Sequence, residues 1–192
     1  MDKLKETIRK SVLKERRSMG KTDRSNKSIR IIDRLLSLDR FKNSGLIMCY
    51  VDFDGEVETR EFIKYCIGKG KRISVPMVAD NPDGKRKLRA SEVFDLERDM
   101  EKGAFGILEP KKNAVREVDA AEIDLIIVPG VAFDLNKNRI GYGAGYYDMF
   151  LNKVGNNCLK AGMAFELQIC ANISADPHDV PMDIIITEDR IL

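Results

Sequence analysis

Apolar residues recur every three or four positions at the start of the chain and form short continuous runs further along it. Residues 2–19 have the pattern of an amphipathic helix that ends at Gly20. A second helical pattern extends to residue 38, and Thr22 and Asp23 are candidate capping residues at its start. The sequence therefore predicts an N-terminal pair of helices.

Beyond the helical pair, short apolar runs bounded by turn residues predict buried strands. These runs span residues 45–51, 72–78, 87–93, 124–130, 159–165 and 183–188. The run 124–130, DLIIVPG, is the most apolar of them, and we expect it at the centre of the sheet, followed by a long loop.

Helical patterns lie between several of these runs. Residues 59–67 and about 145–153 predict helices. The pair Asp54-Gly55 and the segment NPDG (81–84) predict turns. Alternating strands and helices, with several fully apolar strands, indicate an α/β protein with a largely parallel sheet flanked by helices. We expect a single domain over residues 1–192, because no linker-like stretch divides the chain; the helical pair either packs on the sheet or forms a small lobe beside it.

Composition excludes several classes of function. The chain has 192 residues and a formal charge of +2, which favours neither a nucleic-acid nor a membrane partner. Widely spaced cysteines and a single histidine, His178, argue against a zinc site, and we expect buried free thiols. The N-terminus lacks the apolar core of a secretory signal, and the apolar runs are too short to span a bilayer. We predict a cytoplasmic protein.

The segment after the most apolar strand carries the strongest functional signal. It contains Gly141, Gly143 and Gly145 at alternate positions directly before a predicted helix. Glycines allow a backbone to turn its amides toward an anion, and a helix N-terminus adds further N–H donors. Arg139 supplies a cation beside this loop, and Asp148 is placed to hold a magnesium ion bridging phosphates. The alternative is a flexible glycine turn, but the flanking strand, cation and carboxylate favour phosphate binding.

Basic residues of the first helix form two groups. Lys3, Lys10, Lys14 and Arg17 project opposite the apolar stripe and are expected to be solvated. Lys5, Arg9 and Arg16 line the flank of that stripe, where they either extend along the rim or reach into a cleft. The pattern leaves both possibilities open.

Two further acidic positions are candidates for binding. Glu56 follows the first strand and is either a solvated carboxylate or an acceptor for N–H groups of a ligand. The tail DPHDVPMD (176–183) is either a turn-forming cluster or a source of carboxylates that complete a magnesium site with Asp148. His178 is expected to be an exposed loop residue.

Several segments resemble a known family in order and spacing. They are VDFDGEVET, VPMV, GAFGILEP, DLIIVPGVAFD, NRIGYGAGYYD and HDVPMD, and the likeness extends from Lys5 almost to the C-terminus. On these motifs the chain resembles the 5-formyltetrahydrofolate cyclo-ligases, also called methenyltetrahydrofolate synthetases. The resemblance implies a three-layer α/β fold.

The resemblance also implies an activity. Such enzymes use ATP and magnesium to convert 5-formyltetrahydrofolate into 5,10-methenyltetrahydrofolate, with ADP and phosphate as the other products. The formyl oxygen would be phosphorylated before the ring closes on the activated carbon. The implied ligands are therefore ATP, Mg²⁺ and a reduced folate. We expect the protein to be a monomer. The alternative is a non-catalytic folate- or nucleotide-binding protein of the same fold.

Residue roles follow from the same resemblance. The positions that it assigns to ATP are Lys5, Arg9, Arg139, Ile140, Gly141, Tyr142, Gly143, Ala144, Gly145, Tyr146 and Tyr147. The positions that it assigns to the folate are Val51, Glu56, Tyr142, Gly143, Ala144, Gly145 and Tyr146. Asp148 and Asp179 match the magnesium ligands. Two positions depart from the family pattern. Met149 replaces a common arginine, and Ala144 replaces a glycine or lysine, so neither position supplies the cation that many family members have there.

Overall fold

The computed structural model describes residues 3–80, 84, 86–103 and 107–192. Its helices are α1 (Lys3–Ser18), α2 (Lys21–Ser37), α3 (Asp39–Asn43), α4 (Arg60–Gly68), α5 (Leu96–Asp99) and α6 (Tyr146–Leu151). Its strands are β1 (Leu46–Cys49), β2 (Arg72–Asp80), β3 (Arg86–Val93), β4 (Met100–Lys102), β5 (Leu108–Pro110), β6 (Glu117–Val118), β7 (Leu125–Val128), β8 (Ala132–Asp134), β9 (Arg139–Ile140), β10 (Leu159–Met163), β11 (Ile169–Cys170) and β12 (Ile184–Ile186).

Among the described residues, seven strands form the main sheet in the order β12-β10-β7-β1-β2-β3-β6. The first five strands in this order are parallel, whereas β3 and β6 join the β2 edge in antiparallel pairs. The prediction of a largely parallel α/β sheet is confirmed. Strand β7 pairs with both β1 and β10, so the most apolar run lies inside the sheet, as its pattern predicts.

The two faces of the sheet are both covered, which gives three layers. Leu125 and Ile127 of β7 face an apolar cluster that includes side chains of α2 and α4. Ile126 and Val128 face the opposite cluster, which includes Phe150 of α6. Successive strand residues point to opposite faces, so a strand buried on both sides is apolar at every position.

The N-terminal helices differ in what they contact. Ile31 and Leu35 of α2 belong to the apolar cluster on one face of the main sheet. Val12 of α1 instead packs against Val131 and Ile140, near the small sheet formed by β11, β8 and β9. Each of the two alternatives for the helical pair is therefore correct for one helix: α2 packs on the main sheet, and α1 lies beside it.

The prediction of capping residues at the start of the second helix is wrong. Helix α2 begins at Lys21 after Gly20 without a side-chain cap, so Thr22 and Asp23 lie inside its first turn. The side chain of Leu4 is exposed, so the apolar stripe of α1 stops short of its N-terminal end. In this part of the chain tertiary packing, rather than local propensity, decides which side chains are buried.

The segment after β7 is more regular than the predicted loop. Strands β8 and β9 form an antiparallel pair within it, and β8 also pairs with β11. The buried carboxylate of Asp134 accepts hydrogen bonds from the backbone N–H and side chain of Asn138 and from the N–H of Ile173. This hairpin fixes the position at which the glycine-rich loop begins.

Other expectations are met in part. Asp54 and Gly55 form the predicted turn, both with positive φ (49° and 78°). Of the predicted turn over 81–84, only Gly84 lies within the described residues, and residues 104–106 of GAFGILEP also lie outside them. Free thiols are confirmed, although Cys170 is half-buried rather than buried. Within the described ranges, no helix combines the length and apolar character that a bilayer crossing requires.

Candidate functional site

A cavity of about 670 Å³ lies where the loops that follow β1 and β7 meet the outer parts of β2 and β3. This is the edge at which open α/β sheets bind ligands, outside the carboxyl ends of the strands. One part of its wall is apolar and is formed by Phe53, Pro76, Val78, Leu88 and Ile107. The other part is the glycine-rich loop with the start of α6, from Gly141 to Asp148.

The glycine-rich loop connects β9 to α6 and has a backbone conformation that residues other than glycine rarely adopt. Gly143 has φ +105° and Gly145 has φ +67°, both positive. Helix α6 follows directly but has six residues, so it ends two residues earlier than the predicted helix over 145–153. The short helix supplies a weaker dipole than expected, and the loop amides carry more of any anion binding.

Helix α1 reaches this loop and the C-terminal tail with one side of its surface. Lys5 Nζ lies 2.7 Å from Asp176 Oδ2 and 2.9 Å from Asp179 Oδ2. Arg9 Nε donates to the carbonyl oxygen of Gly141 at 2.9 Å. The flank of the apolar stripe therefore contacts the C-terminal tail and the glycine-rich loop through these two cations.

The predicted magnesium ligands lie on neighbouring segments, and each is paired with a cation. Asp148 Oδ1 lies 3.0 Å from Arg139 and accepts from the N–H of Val180 at 3.4 Å. Asp179 lies next to Val180 in sequence and pairs with Lys5. Burial raises the pKa of Asp179, but the N–H of Asp176 and the ammonium of Lys5 outweigh it, and the net pKa is lowered.

The carboxylates of the tail form a group with the chemistry of a cation site. In the described chain, Asp176, His178 and Asp179 could each offer an atom to one ion, with these atoms within 4.8 Å of one another. Asp148 is outside that group and approaches it through Val180. His178 is exposed, as the sequence predicts.

Arg139 is almost completely buried, with 5% of its side chain exposed. Its guanidinium lies over the ring of Tyr147 at 5.5 Å and pairs with Asp148. Its Nε has no hydrogen-bond partner in the described part of the chain. The predicted phosphate cation is therefore paired with a carboxylate of α6.

Glu56 lies beneath the loop that follows β1 and is 8% exposed. Its Oε2 accepts from the N–H of Phe53 at 3.1 Å, and its Oε1 lies 3.5 Å from the hydroxyl of Tyr142. Burial raises the pKa of Glu56 to about 7, against the opposing effects of the Arg16 charge and of the Phe53 N–H. The carboxyl group can therefore change its charge near neutral pH.

The predicted positions do not all line the cavity. Its wall includes Arg139 and every residue from Gly141 to Asp148. The positions that do not form part of that wall in the described chain are Lys5, Arg9, Val51, Glu56, Ile140 and Asp179. Val51 is buried in the apolar cluster on one face of the sheet, and Ile140 packs near α1.

Two arginines of α1 were missed as site residues. Arg16 is fully buried and donates to the hydroxyl of Tyr142 at 2.6 Å. Arg17, expected on the solvated face, contacts Asp54 at 2.7 Å and lines the cavity. The flank position of Arg16 was visible in the sequence, but the contact with Tyr142 joins residues 126 positions apart and has no local signal.

Known proteins share this sequence and architecture. The model of the 5-formyltetrahydrofolate cyclo-ligase family matches residues 1–188. A Mus musculus protein named 5-formyltetrahydrofolate cyclo-ligase is 32% identical over 186 residues, covering 92% of this chain and 90% of the mouse protein. A Saccharomyces cerevisiae protein of the same name is 33% identical over 172 residues, covering 80% of each chain.

Solved structures agree with these sequence matches. The NMR structure of Aquifex aeolicus 5,10-methenyltetrahydrofolate synthetase has a TM-score of 0.84 at 34% identity, and the match covers 98% of this chain and 91% of that one. A synthetase of the same name from Mycoplasma pneumoniae, at 23% identity, shares the fold with a TM-score of 0.76 and coverage of 98% and 99%. The resemblance predicted from the motifs is confirmed: the chain belongs to the 5-formyltetrahydrofolate cyclo-ligase family of ligases.

Proposed function

We propose that the protein uses ATP and magnesium to convert 5-formyltetrahydrofolate into 5,10-methenyltetrahydrofolate, ADP and phosphate. The observation that carries this proposal is the two-sided cavity, with a glycine-rich loop, cations and carboxylates at one part of its wall and apolar side chains at the other. The first part suits the phosphates of a nucleotide, and the second suits a flat ring system. We also treat residues 1–192 as one cyclo-ligase domain; a monomer in the cytoplasm stays a prediction.

The proposed chemistry requires positioning more than covalent help from the protein. The formyl oxygen attacks the γ-phosphorus and ADP leaves. The N10 nitrogen then attacks the formyl carbon and loses its proton to solvent, and phosphate departs with the former formyl oxygen. An amide-like oxygen is a poor leaving group until it is phosphorylated. Charge neutralisation and alignment of the two substrates therefore supply most of the catalysis.

We assign the nucleotide to the loop Gly141–Gly145, with Lys5, Arg9 and Arg139 near its phosphates. The amides of the loop would donate to phosphate oxygens, since its glycines leave the backbone uncovered. Lys5 and Arg139 are each paired with a carboxylate here, so phosphate binding would require these ion pairs to rearrange.

Asp148 and Asp179 have the hard oxygen ligands that magnesium prefers, and the tail adds the carboxylate of Asp176. The chemistry of these oxygens suits magnesium, and we assign to Asp148 and Asp179 the ion that would accompany the nucleotide. When bound, this ion would neutralise negative charge on the phosphates. The protein's own contribution is to hold these carboxylates beside the glycine-rich loop.

Glu56 is assigned to the folate. Its Oε2 is occupied by the N–H of Phe53, whereas Oε1 has a longer contact with Tyr142 and can accept an N–H from a ligand. Val51 lies on the same connection but is buried in the apolar cluster, so we assign it to support of the pocket rather than to direct contact.

The direct test is to incubate the protein with 5-formyltetrahydrofolate, ATP and Mg²⁺ and to follow the methenyl chromophore. Product should form with all three components and fail to form when ATP or Mg²⁺ is omitted. Calorimetry of each ligand alone serves as the control for a correctly folded site. Binding of both ligands without product would contradict the proposal and favour a non-catalytic binding protein.

A backbone variant tests the role of the glycine-rich loop. Gly143→Ala forces a side chain onto a residue with φ +105°, which costs about 1 to 3 kcal/mol and displaces the loop. We expect the KM for ATP to rise at least about tenfold, the equivalent of 1.4 kcal/mol.

Gly70→Ala is the matched control, because Gly70 also has positive φ (+76°) and lies on a turn with open space around it. It should lose similar stability in urea unfolding and keep the KM for ATP. Equal KM values in both variants would contradict the assignment of ATP to this loop.

A further inference from the structure

Arg16 is the fully buried arginine of α1, and its contacts join α1 to three other segments around the cavity. Its guanidinium donates to the carbonyl oxygens of Gly130 at 3.3 Å and Asp54 at 3.1 Å, and to the hydroxyl of Tyr142 at 2.6 Å. These acceptors belong to the loop after β7, the turn after β1 and the glycine-rich loop. One side chain thus connects α1 to both proposed ligand-binding halves of the cavity.

The charge of Arg16 has little direct compensation. The nearest carboxylate oxygen is Asp54 Oδ2 at 3.8 Å, and that carboxylate is held more closely by Arg17 at 2.7 Å. The Nε of Arg16 has no hydrogen-bond partner among the described residues. A buried guanidinium in such surroundings stabilises the fold less than an apolar side chain of similar volume would. Its presence therefore needs a reason other than stability.

The geometry around Tyr142 supplies that reason. Because Arg16 donates to the phenolic oxygen, the hydroxyl proton of Tyr142 is free to point toward Glu56 Oε1, 3.5 Å away. Tyr142 belongs to the glycine-rich loop, and Glu56 belongs to the connection after β1. The contact series Arg16–Tyr142–Glu56 therefore joins the loop assigned to ATP with the carboxylate assigned to the folate.

We propose that Arg16 is a positioning residue that fixes the phenol of Tyr142 against Glu56 and so couples the nucleotide half of the cavity to the folate half. This inference rests on the proposed function for the identity of the two ligands. A nucleotide bound to the glycine-rich loop would hold Tyr142 in place. Tyr142 would in turn hold the side chain of Glu56, which would then lose less conformational freedom when the folate binds. Binding of either ligand then favours binding of the other.

The first test measures this coupling without turnover. Calorimetry gives the Kd of 5-formyltetrahydrofolate with and without a non-hydrolysable ATP analogue and Mg²⁺. In the unmodified protein the analogue should tighten folate binding at least about fivefold. Arg16→Lys keeps a positive charge but cannot reach all three acceptors, so the analogue should no longer change the folate Kd.

Arg30→Lys is the matched control, since Arg30 lies on α2, pairs with Asp189 and is half-exposed. It should keep the coupling of the unmodified protein. Tyr142→Phe removes the same hydrogen-bonded link by changing a partly exposed side chain. It replaces Arg16→Lys as the test variant if Arg16→Lys fails to fold. Coupling that persists in either folded variant would overturn the proposal.

The second test is a double-mutant cycle on kcat/KM for the folate. Arg16→Lys and Tyr142→Phe act on one contact, so the double variant should lose no more than about threefold beyond the larger single loss. Losses that multiply would overturn the proposal, because they would mean independent roles. Cooperative binding that depends on Arg16 but yields no product in the unmodified protein would support the coupling and refute the proposed function.

Discussion

Glu56→Gln is expected to lower cyclo-ligase activity and, above pH 7, to increase the stability of the ligand-free protein. The carboxylate of Glu56 is buried and therefore poorly solvated when it is ionised. This raises its pKa to about 7 from an ordinary value of 4.5. Glutamine keeps the shape of the side chain without the buried charge. A residue that improves binding at a cost to folding is typical of a functional site.

The direction of the pH effect follows from the raised pKa. The folded state holds the proton of Glu56 more tightly than the unfolded chain, so this residue reduces stability as pH rises from about 4.5 to about 7. Above pH 7 the full penalty is present. Glu56→Gln should therefore gain about 1 to 3 kcal/mol in urea unfolding at pH 8 and much less at pH 4.5.

Activity should respond in the opposite sense. A carboxylate that accepts an N–H from the folate loses its negative charge in the glutamine variant, and kcat/KM should fall by at least about 100-fold, the equivalent of 2.7 kcal/mol. The measurement is steady-state formation of the methenyl product at saturating ATP. Full activity in a stabilised Glu56→Gln protein would contradict the assignment of this residue to the folate.

Glu92→Gln is the matched control, because Glu92 is similarly buried (9% exposed) but lies against Arg72 at 2.8 Å. Hydrogen bonds from Arg72 lower its pKa, so its carboxylate contributes stability above pH 4.5 that is lost as pH falls through the lowered pKa. This variant should be less stable than the unmodified protein at pH 8 and should retain activity. A gain in stability there would contradict the electrostatic reasoning for both residues.

Asp148→Asn is expected to weaken both the ligand-free fold and the reaction. Removing the carboxylate leaves the buried guanidinium of Arg139 without its charged partner. The Nε of the same guanidinium already lacks a hydrogen-bond partner in the described chain. Breaking a buried ion pair from one side is strongly unfavourable. Since asparagine can still accept from Arg139 and Val180, we expect a loss of about 2 kcal/mol in urea unfolding.

The loss of activity should exceed what instability explains. If Asp148 holds magnesium beside the nucleotide, kcat/KM for ATP should fall by at least about 100-fold at temperatures where the variant is fully folded. Calorimetry should also show weaker binding of Mg²⁺ with ATP.

Asp189→Asn is the comparison variant, because the Arg30–Asp189 pair is half-exposed and should contribute little stability. It should match the unmodified protein in both measurements. Reduced stability with normal Mg²⁺–ATP binding in Asp148→Asn would mean that Asp148 is only the structural partner of Arg139.

The cations and carboxylates of this site are paired with one another. Arg139 pairs with Asp148, and Lys5 pairs with Asp176 and Asp179. The proposed ligands, phosphates and magnesium, would take over both sets of charges. Each cation and carboxylate would then exchange a protein partner for a ligand partner, which limits the desolvation cost of binding.

Local sequence patterns determined the main elements of this protein. The buried strand within 124–130 and the glycine-rich loop after it were predictable, because hydrophobic periodicity and glycine spacing act over a few residues. Family motifs identified the family and suggested Lys5, Arg9 and Asp179, whose roles stay predictions. Tertiary structure decided the antiparallel edge formed by β3 and β6, since the direction of pairing depends on distant segments. It also decided the hairpin of β8 and β9, since strands of two or three residues carry no distinct period.

Tertiary structure also decided which charges meet. Lys5 contacts Asp179 across 174 positions, and Arg16 contacts Tyr142 across 126, so neither pair has a local signal. The sequence places Arg16 on the flank of α1, but only the packing of α1 beside β8 and β9 buries it under the glycine-rich loop. Periodicity is a local property of the chain, whereas burial and ion pairing depend on which distant segments pack together.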